Sequence, residues 1–283
     1  MLDEGRILYL RNEQVDIMKV IINGDDFGAT KSISEGIIKA MKEGVLSDTT
    51  AMVTTPFFEE SIEMAKENGI NEMGIHLSLT CGTPLLEKEC IKGILTEDNK
   101  FPRKPNANYI NVCDAEKELR AQINKFLATG MKLNHIDSHH HFYMYNKEYL
   151  DLVIKLSKEF NVPIRCLSSE AVDKSEDEYG FDKRDYDSIA YVRKSNIKCP
   201  DFVNLDFYDT GATEESLINI LKDSIGKYEV IEIMAHPSKV DDDLRKLSSY
   251  NEIRGKELEI LTSPRVKKFI DENNIGLISY SAL

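Results

Sequence analysis

The chain contains six histidines, and all of them fall at or beside the ends of apolar runs. His76 lies in Gly74-Ile75-His76-Leu77, His135 to His141 close a second run, and His236 closes a third just before Pro237. A pair of adjacent carboxylates, Asp25-Asp26, ends the first apolar run ahead of Phe27-Gly28. Imidazole plus carboxylate without thiolate suits Zn²⁺, Fe²⁺, Co²⁺ or Mn²⁺ better than Ca²⁺, and a three-ligand set leaves positions open for water and substrate. Bound metal lowers the pKa of water from about 15.7 toward about 7 and polarises a carbonyl, the two services that amide or ester hydrolysis needs. Two adjacent aspartates let one bind metal while the other takes a proton from the attacking water, and a histidine on the far side can protonate the leaving amine.

The second run is the most informative. On an extended strand His135, Asp137 and His139 share one face and His140 points the other way, which sets a carboxylate beside a metal ligand. A ligating imidazole normally donates its second N–H to such a group, so Asp137 is expected to support a ligand rather than be one. A strand that already ends at Ser138 breaks this alternation for His139 and His141. Each element has a blander reading on its own: Asp25-Asp26 as a turn cap, His76 as a hydrogen-bonded core histidine, His236 as a turn residue. Their convergence favours chemistry, because the C-terminal ends of strands in a (β/α) barrel meet at one mouth.

The elements that would position these residues alternate as a parallel sheet or barrel requires. Strands are expected at 20–22, 49–54, 73–79, 133–137, 163–167, 202–207, 230–235 and 276–280, with helices near 32–44, 57–68, 114–129, 147–159 and 213–227. Ser32 with Glu35 has the spacing of a capping box, and Gly44 marks the end of that helix. Seven or eight such units predict an α/β fold, a distorted, TIM-barrel-like (β/α) barrel, with insertions after strand three (80–113) and strand five (168–200). The first turn, Asn23-Gly24-Asp25-Asp26-Phe27-Gly28, would repel a pyrophosphate, so nucleotide binding there is rejected.

At 283 residues with 41% hydrophobic and 30% charged composition, one large domain over 18–283 is expected, preceded by a 1–17 leader with no place in the fold. A net charge of -13 disfavours nucleic acid and anionic membranes as partners. The five cysteines, Cys81, Cys90, Cys113, Cys166 and Cys199, are scattered and odd in number, which argues against a disulfide framework and a thiolate zinc site. Neither a span of roughly 18 apolar residues nor a signal pattern is found, so the expected location is the cytoplasm.

Taken in order, Asp25-Asp26-Phe27-Gly28, Gly74-Ile75-His76-Leu77, His135-Ile136-Asp137-Ser138-His139-His140-His141, Glu232-Ile233-Met234-Ala235-His236-Pro237 and the tail from Tyr250-Asn251-Glu252-Ile253-Arg254 to Ser279-Tyr280 resemble the YdjC-like carbohydrate deacetylases, which include the chitooligosaccharide deacetylases of chitin degradation. The resemblance implies a metal-dependent hydrolase that removes acetyl from N-acetylglucosamine units of short sugars such as chitobiose or chitobiose phosphate. It implies Asp26, His76 and His139 as metal ligands, Asp25 as general base and His236 as general acid, with His135, Asp137, His141 and Arg254 around them as supporting or substrate-contacting groups. It implies one divalent ion, Mg²⁺, whereas the two imidazoles favour Zn²⁺ or another transition metal. The family commonly places a further histidine where this chain has Tyr143, a departure that bears on substrate choice. A small acetylated amino sugar is the expected partner, and a homodimer stays open. The competing readings are a metal-dependent phosphoesterase, which usually gathers two ions, and a sugar- or metal-binding protein without turnover.

Overall fold

In the computed structural model, residues 17–168, 171, 179–182 and 185–283 are described. The expected 1–17 leader, apart from Ile17, and about a third of the 168–200 insertion lie outside them. Strand β1 (Lys19–Phe27) starts on the β-branched run Val20-Ile21-Ile22. Val20 and Ile22 pack into the large core shared with the helices, while Ile21 joins Val230 and Tyr280 in a small cluster on the opposite face. Burial on both faces is what a strand inside a parallel sheet experiences.

Helix α1 (Lys31–Glu43) follows and stops at Gly44 as expected. Its cap, however, is Thr30, whose hydroxyl accepts from Ile33 N at 3.1 Å, not the expected Ser32–Glu35 box. The helix begins at Lys31, so Ser32 is already helical; its hydroxyl reaches Asp241 (2.9 Å), and Glu35 pairs with Lys239 (2.8 Å). Strand β2 (Asp48–Ala51), helix α2 (Phe58–Glu67) and strand β3 (Glu72–Leu77) complete the next repeat. The long connection after β3 carries short 3₁₀ turns and is tied down by helix α3 (Val112–Leu127), whose Glu118 accepts from Leu85 N and Leu86 N at 3.0 and 3.1 Å.

Strand β4 (Lys132–Ser138) and helix α4 (Lys147–Phe160) agree with expectation. The strand expected at 163–167 is reduced to one bridge between Ile136 and Ile164. Pro163 offers only its carbonyl, which accepts from Ile136 N at 3.0 Å, while Ile164 N turns to Lys198 O at 3.1 Å. Helix α5 (Ser188–Lys194), strand β5 (Phe202–Asn204), helix α6 (Glu214–Ser224) and strand β6 (Val230–Ala235) come next. Helices α7 (Asp242–Leu247), α8 (Glu252–Leu261) and α9 (Pro264–Glu272), none of them anticipated, precede strand β7 (Gly276–Leu277).

All pairings in the seven-stranded sheet are parallel, in the order β4-β3-β2-β1-β6-β5, with β7 against the start of β1. Hydrogen bonds continue past β4 through Ile164 to Lys198, just before β5, an arrangement compatible with a barrel-like fold. None of the described helices is long and apolar enough to cross a membrane.

Candidate active site and metal centre

Alternation along adjacent strands builds a polar interior. Asn23 and Asp25 on β1, Thr50 on β2, His76 on β3, Asp137 on β4 and Glu232 on β6 are all buried, and hydrogen bonds link them directly or through Arg165. Asp25 and Asp26 would face opposite ways on a regular strand. The β1–β2 register is irregular between Gly24 and Phe27, and Asp26 adopts φ 69°, a left-handed conformation that costs energy for a residue with a Cβ. That irregularity lets both carboxylates take part in one polar network.

Asp26 Oδ1 lies 3.4 Å from His76 Nε2 and 3.2 Å from His139 Nδ1. It is buried and has no hydrogen-bond partner, while Oδ2 accepts from Arg254 Nη2 at 2.6 Å. His76 is held through its other nitrogen: Nδ1 is 2.8 Å from Asp137 Oδ1, and Thr50 Oγ1 reaches both groups. This is the orientation a ligating imidazole needs, with Nε2 left free toward Asp26. An orphaned carboxylate oxygen facing two imidazole nitrogens, among donor types that suit a transition metal, fits a divalent cation. Burial alone would push Asp26 up, but Arg254 and His139 hold it well below the usual carboxylate range. Burial pushes His139 down, yet the neighbouring Asp26 carboxylate and Cys81 thiol raise it to about 9.

Asp25 sits on the other side of this network. Arg165 Nη1 and Nη2 each donate to it at 2.7 Å, Asn23 Nδ2 donates at 2.8 Å, and His236 Nε2 stands 4.0 Å from Oδ2. Burial opposes its ionisation, but Arg165 outweighs that and keeps the group ionised. Arg165 is itself 1% exposed and also pairs with Asp137 (3.0 Å) and Glu232 (2.6 Å). His236 has its backbone N–H bound to Glu257, its Nδ1 buried without a partner, and a pKa lowered to about 4 by burial and by Arg254. Tyr208 and Tyr250 stack at 4.3 Å beside it, with Tyr208 43% exposed.

The remaining expected residues divide. Asp137 meets His76 on the neighbouring strand instead of a histidine of its own strand. His135 lies in a separate layer: its Nδ1 meets Asn134 Oδ1 at 2.7 Å and its ring stacks on Tyr280 at 3.7 Å, so its partners belong to none of the trio. His139 is no longer on the strand, because a 3₁₀ segment (His139–Met144) begins there with His140 and His141 both at left-handed φ. Ser138 before it is still extended, so His139 leaves the strand end on the face of Asp137 and reaches Asp26, and the left-handed turn begins after it. His140 bonds Thr80 Oγ1 at 3.1 Å, and His141 is partly buried, its pKa driven well below the ordinary value by burial and by Arg165. Arg254 is 7% exposed and bonds Asp26, inside the site. Tyr143 is 1% exposed and donates to Arg165 O at 2.6 Å, which makes it a strut under Arg165 instead of a substrate contact. Sequence reasoning missed Arg165 and the role of Glu232; the available signal was a lone charge inside each of the apolar runs Pro163-Ile164-Arg165-Cys166-Leu167 and Val230-Ile231-Glu232-Ile233.

Fold and site thus define an α/β protein with a buried Asp/His cluster at the strand ends. The YdjC-like protein family matches residues 19–272, and the chain belongs to that family. It is 34% identical over 268 residues to a carbohydrate deacetylase of Brevibacillus brevis, covering 94% of this chain and 100% of that protein. A carbohydrate deacetylase of Oceanobacillus iheyensis is 36% identical over 257 residues, covering 90% and 100%. The crystal structure of a proposed cellobiose-phosphate cleavage protein from Enterococcus faecalis V583 is similar at TM-score 0.81 and 31% identity, covering 94% of this chain and 98% of that one.

Proposed function

We propose that this protein is a metal-dependent carbohydrate deacetylase that removes the acetyl group from N-acetylglucosamine units of short sugars, chitobiose or its phosphate being the expected type. The observation that carries the reading is the unpartnered, buried Asp26 Oδ1 facing His76 Nε2 and His139 Nδ1, with a second, ionised carboxylate next in sequence. The name shared by the relatives supports the same substrate class. Asp26, His76 and His139 would hold the ion, with Asp137 and Arg254 fixing two of them. When bound, a divalent ion supplies Lewis acidity toward the acetyl carbonyl and acidifies water.

The chain's own groups then move one proton. Asp25, fixed by Arg165 and Asn23, takes it from the attacking water as the oxygen joins the acetyl carbon. His236 Nε2, 4.0 Å from Asp25 Oδ2 and unprotonated at rest, receives that proton and passes it to the nitrogen as the C–N bond breaks, leaving acetate and a free amine. The half-exposed Tyr208, stacked on Tyr250 beside His236, offers an apolar face to a sugar ring. Donor chemistry favours Zn²⁺ or another transition metal, and the family resemblance favours Mg²⁺. A two-ion phosphoesterase has less support, because the neighbouring group Asp25, His76 and Asp137 already holds the Arg165 guanidinium on both carboxylates. The test is acetate release from N-acetylated mono- and disaccharides, with and without a 6-phosphate, after reconstitution with several metals. Release from the disaccharides is expected; hydrolysis of phosphate esters without any acetate release would overturn the reading.

A further inference from the structure

The geometry points to a second, thiolate-containing metal set made of Cys81, His139 and His140, which shares His139 with the Asp26 trio and so competes with it for the ion's ligands. One ligand atom from each of the three residues lies within 4.8 Å of the others. The arrangement is specific. Cys81 takes a left-handed φ of 58°, next to Gly82, and is pinned by Cys81 N to Pro102 O at 3.0 Å. Its thiol lies 3.2 Å from Arg103 O and is partly accessible. His140, also left-handed at φ 54°, has its Nδ1 3.1 Å from Thr80 Oγ1, which orients the ring and leaves Nε2 for a ligand. The His139 and His140 rings stand 4.0 Å apart.

A neutral imidazole has one lone-pair nitrogen, so His139 cannot serve two cations at once. The two sets also differ in softness. Asp26, His76 and His139 accept a range of divalent ions, whereas a thiolate selects Zn²⁺ or Cd²⁺ over Mg²⁺ and Mn²⁺. A thiophilic ion in excess therefore occupies the Cys81 set, releases the thiol proton and draws His139 from Asp26. Harder ions leave it alone. The binding stands independently of the deacetylase reading; the resulting inhibition rests on it.

The test separates the two. Metal-free protein is titrated with Cd²⁺ while the ultraviolet sulfur-to-cadmium charge-transfer band is followed, with circular dichroism as a control on folding. The first band to appear in the wild type is expected to be lost in Cys81→Ser, and equally in His140→Ala, although the other four cysteines remain. In parallel, Mn²⁺-loaded protein is challenged with excess Zn²⁺, which is expected to slow acetate release by the wild type and to spare Cys81→Ser. A first band that persists unchanged in both variants overturns the site. Equal slowing of the wild type and Cys81→Ser overturns the competition.

Discussion

Replacing Arg165 with methionine tests how the site is held together. The side chain is 1% exposed and its guanidinium meets Asp25, Asp137 and Glu232, so methionine keeps much of the volume while leaving three buried carboxyls without their shared cation. Glu232 retains Tyr280 and Asp137 retains His76, while Asp25 loses both guanidinium hydrogen bonds and keeps only the neutral Asn23, so Asp25 suffers most. Removing one partner of a buried ion pair costs about 3–5 kcal/mol. At roughly 2–4 °C per kcal/mol for a chain of this size, the melting temperature of the metal-free protein falls by about 6–20 °C. The pH dependence has a definite sign. In the wild type the folded pKa of Asp25 lies below its unfolded value, so its contribution is present above about pH 4 and is lost as pH falls through the folded value. In the variant burial outweighs the smaller pull of His76 and His236, and the folded pKa rises above the unfolded one, so the deficit grows as pH climbs. Differential scanning calorimetry at about pH 5 and about pH 8 should show the larger gap at the higher pH. A variant melting within about 2 °C of the wild type, or a gap that does not change with pH, refutes this account of Arg165.

Asp137→Asn, which weakens the hold on His76 Nδ1, should lower metal affinity by about 10–100-fold in calorimetric titration while the fold persists; unchanged affinity would remove Asp137 from its supporting role. Gly74→Ala places a Cβ 2.4 Å from His135 Cε1 and 2.5 Å from Thr50 Cγ2, both on rigid, buried side chains, so a loss of about 1–3 kcal/mol is expected in denaturant melts. Tyr208→Ala should raise KM for an acetylated disaccharide by about 2–10-fold with kcat little changed, and equal effects on both constants would argue against a sugar platform there.

Much of this layout is legible in the sequence because parallel strands buried on both faces read as apolar runs: β1, β3, β4 and β6 stand near their expected positions. Pro163–Leu167 has the same composition but forms only one bridge, since pairing depends on neighbours that the run itself does not encode. Helix α8 escapes an apolar-periodicity reading because its buried positions, Arg254, Glu257, Leu258 and Leu261, are half charged. Its Arg254 is buried only because Asp26 lies across the fold, a pairing of residues 228 positions apart. The Asp25-Asp26, His76 and His139 motifs name residues that the fold brings together, but alternation along β4 does not show that His135 stands apart from them. His135 bonds Asn134 and stacks on Tyr280 instead, and His139 reaches Asp26 from just past the strand end.

The central claim is that Asp26, His76 and His139 hold a catalytic ion while Asp25 works beside it. The direct measurement is metal content by mass spectrometry together with acetate release from diacetylchitobiose, in the wild type, His139→Ala and Asp25→Asn. The account predicts that His139→Ala loses both metal and activity, and that Asp25→Asn keeps the metal and loses the activity. Full acetate release by either variant would contradict it.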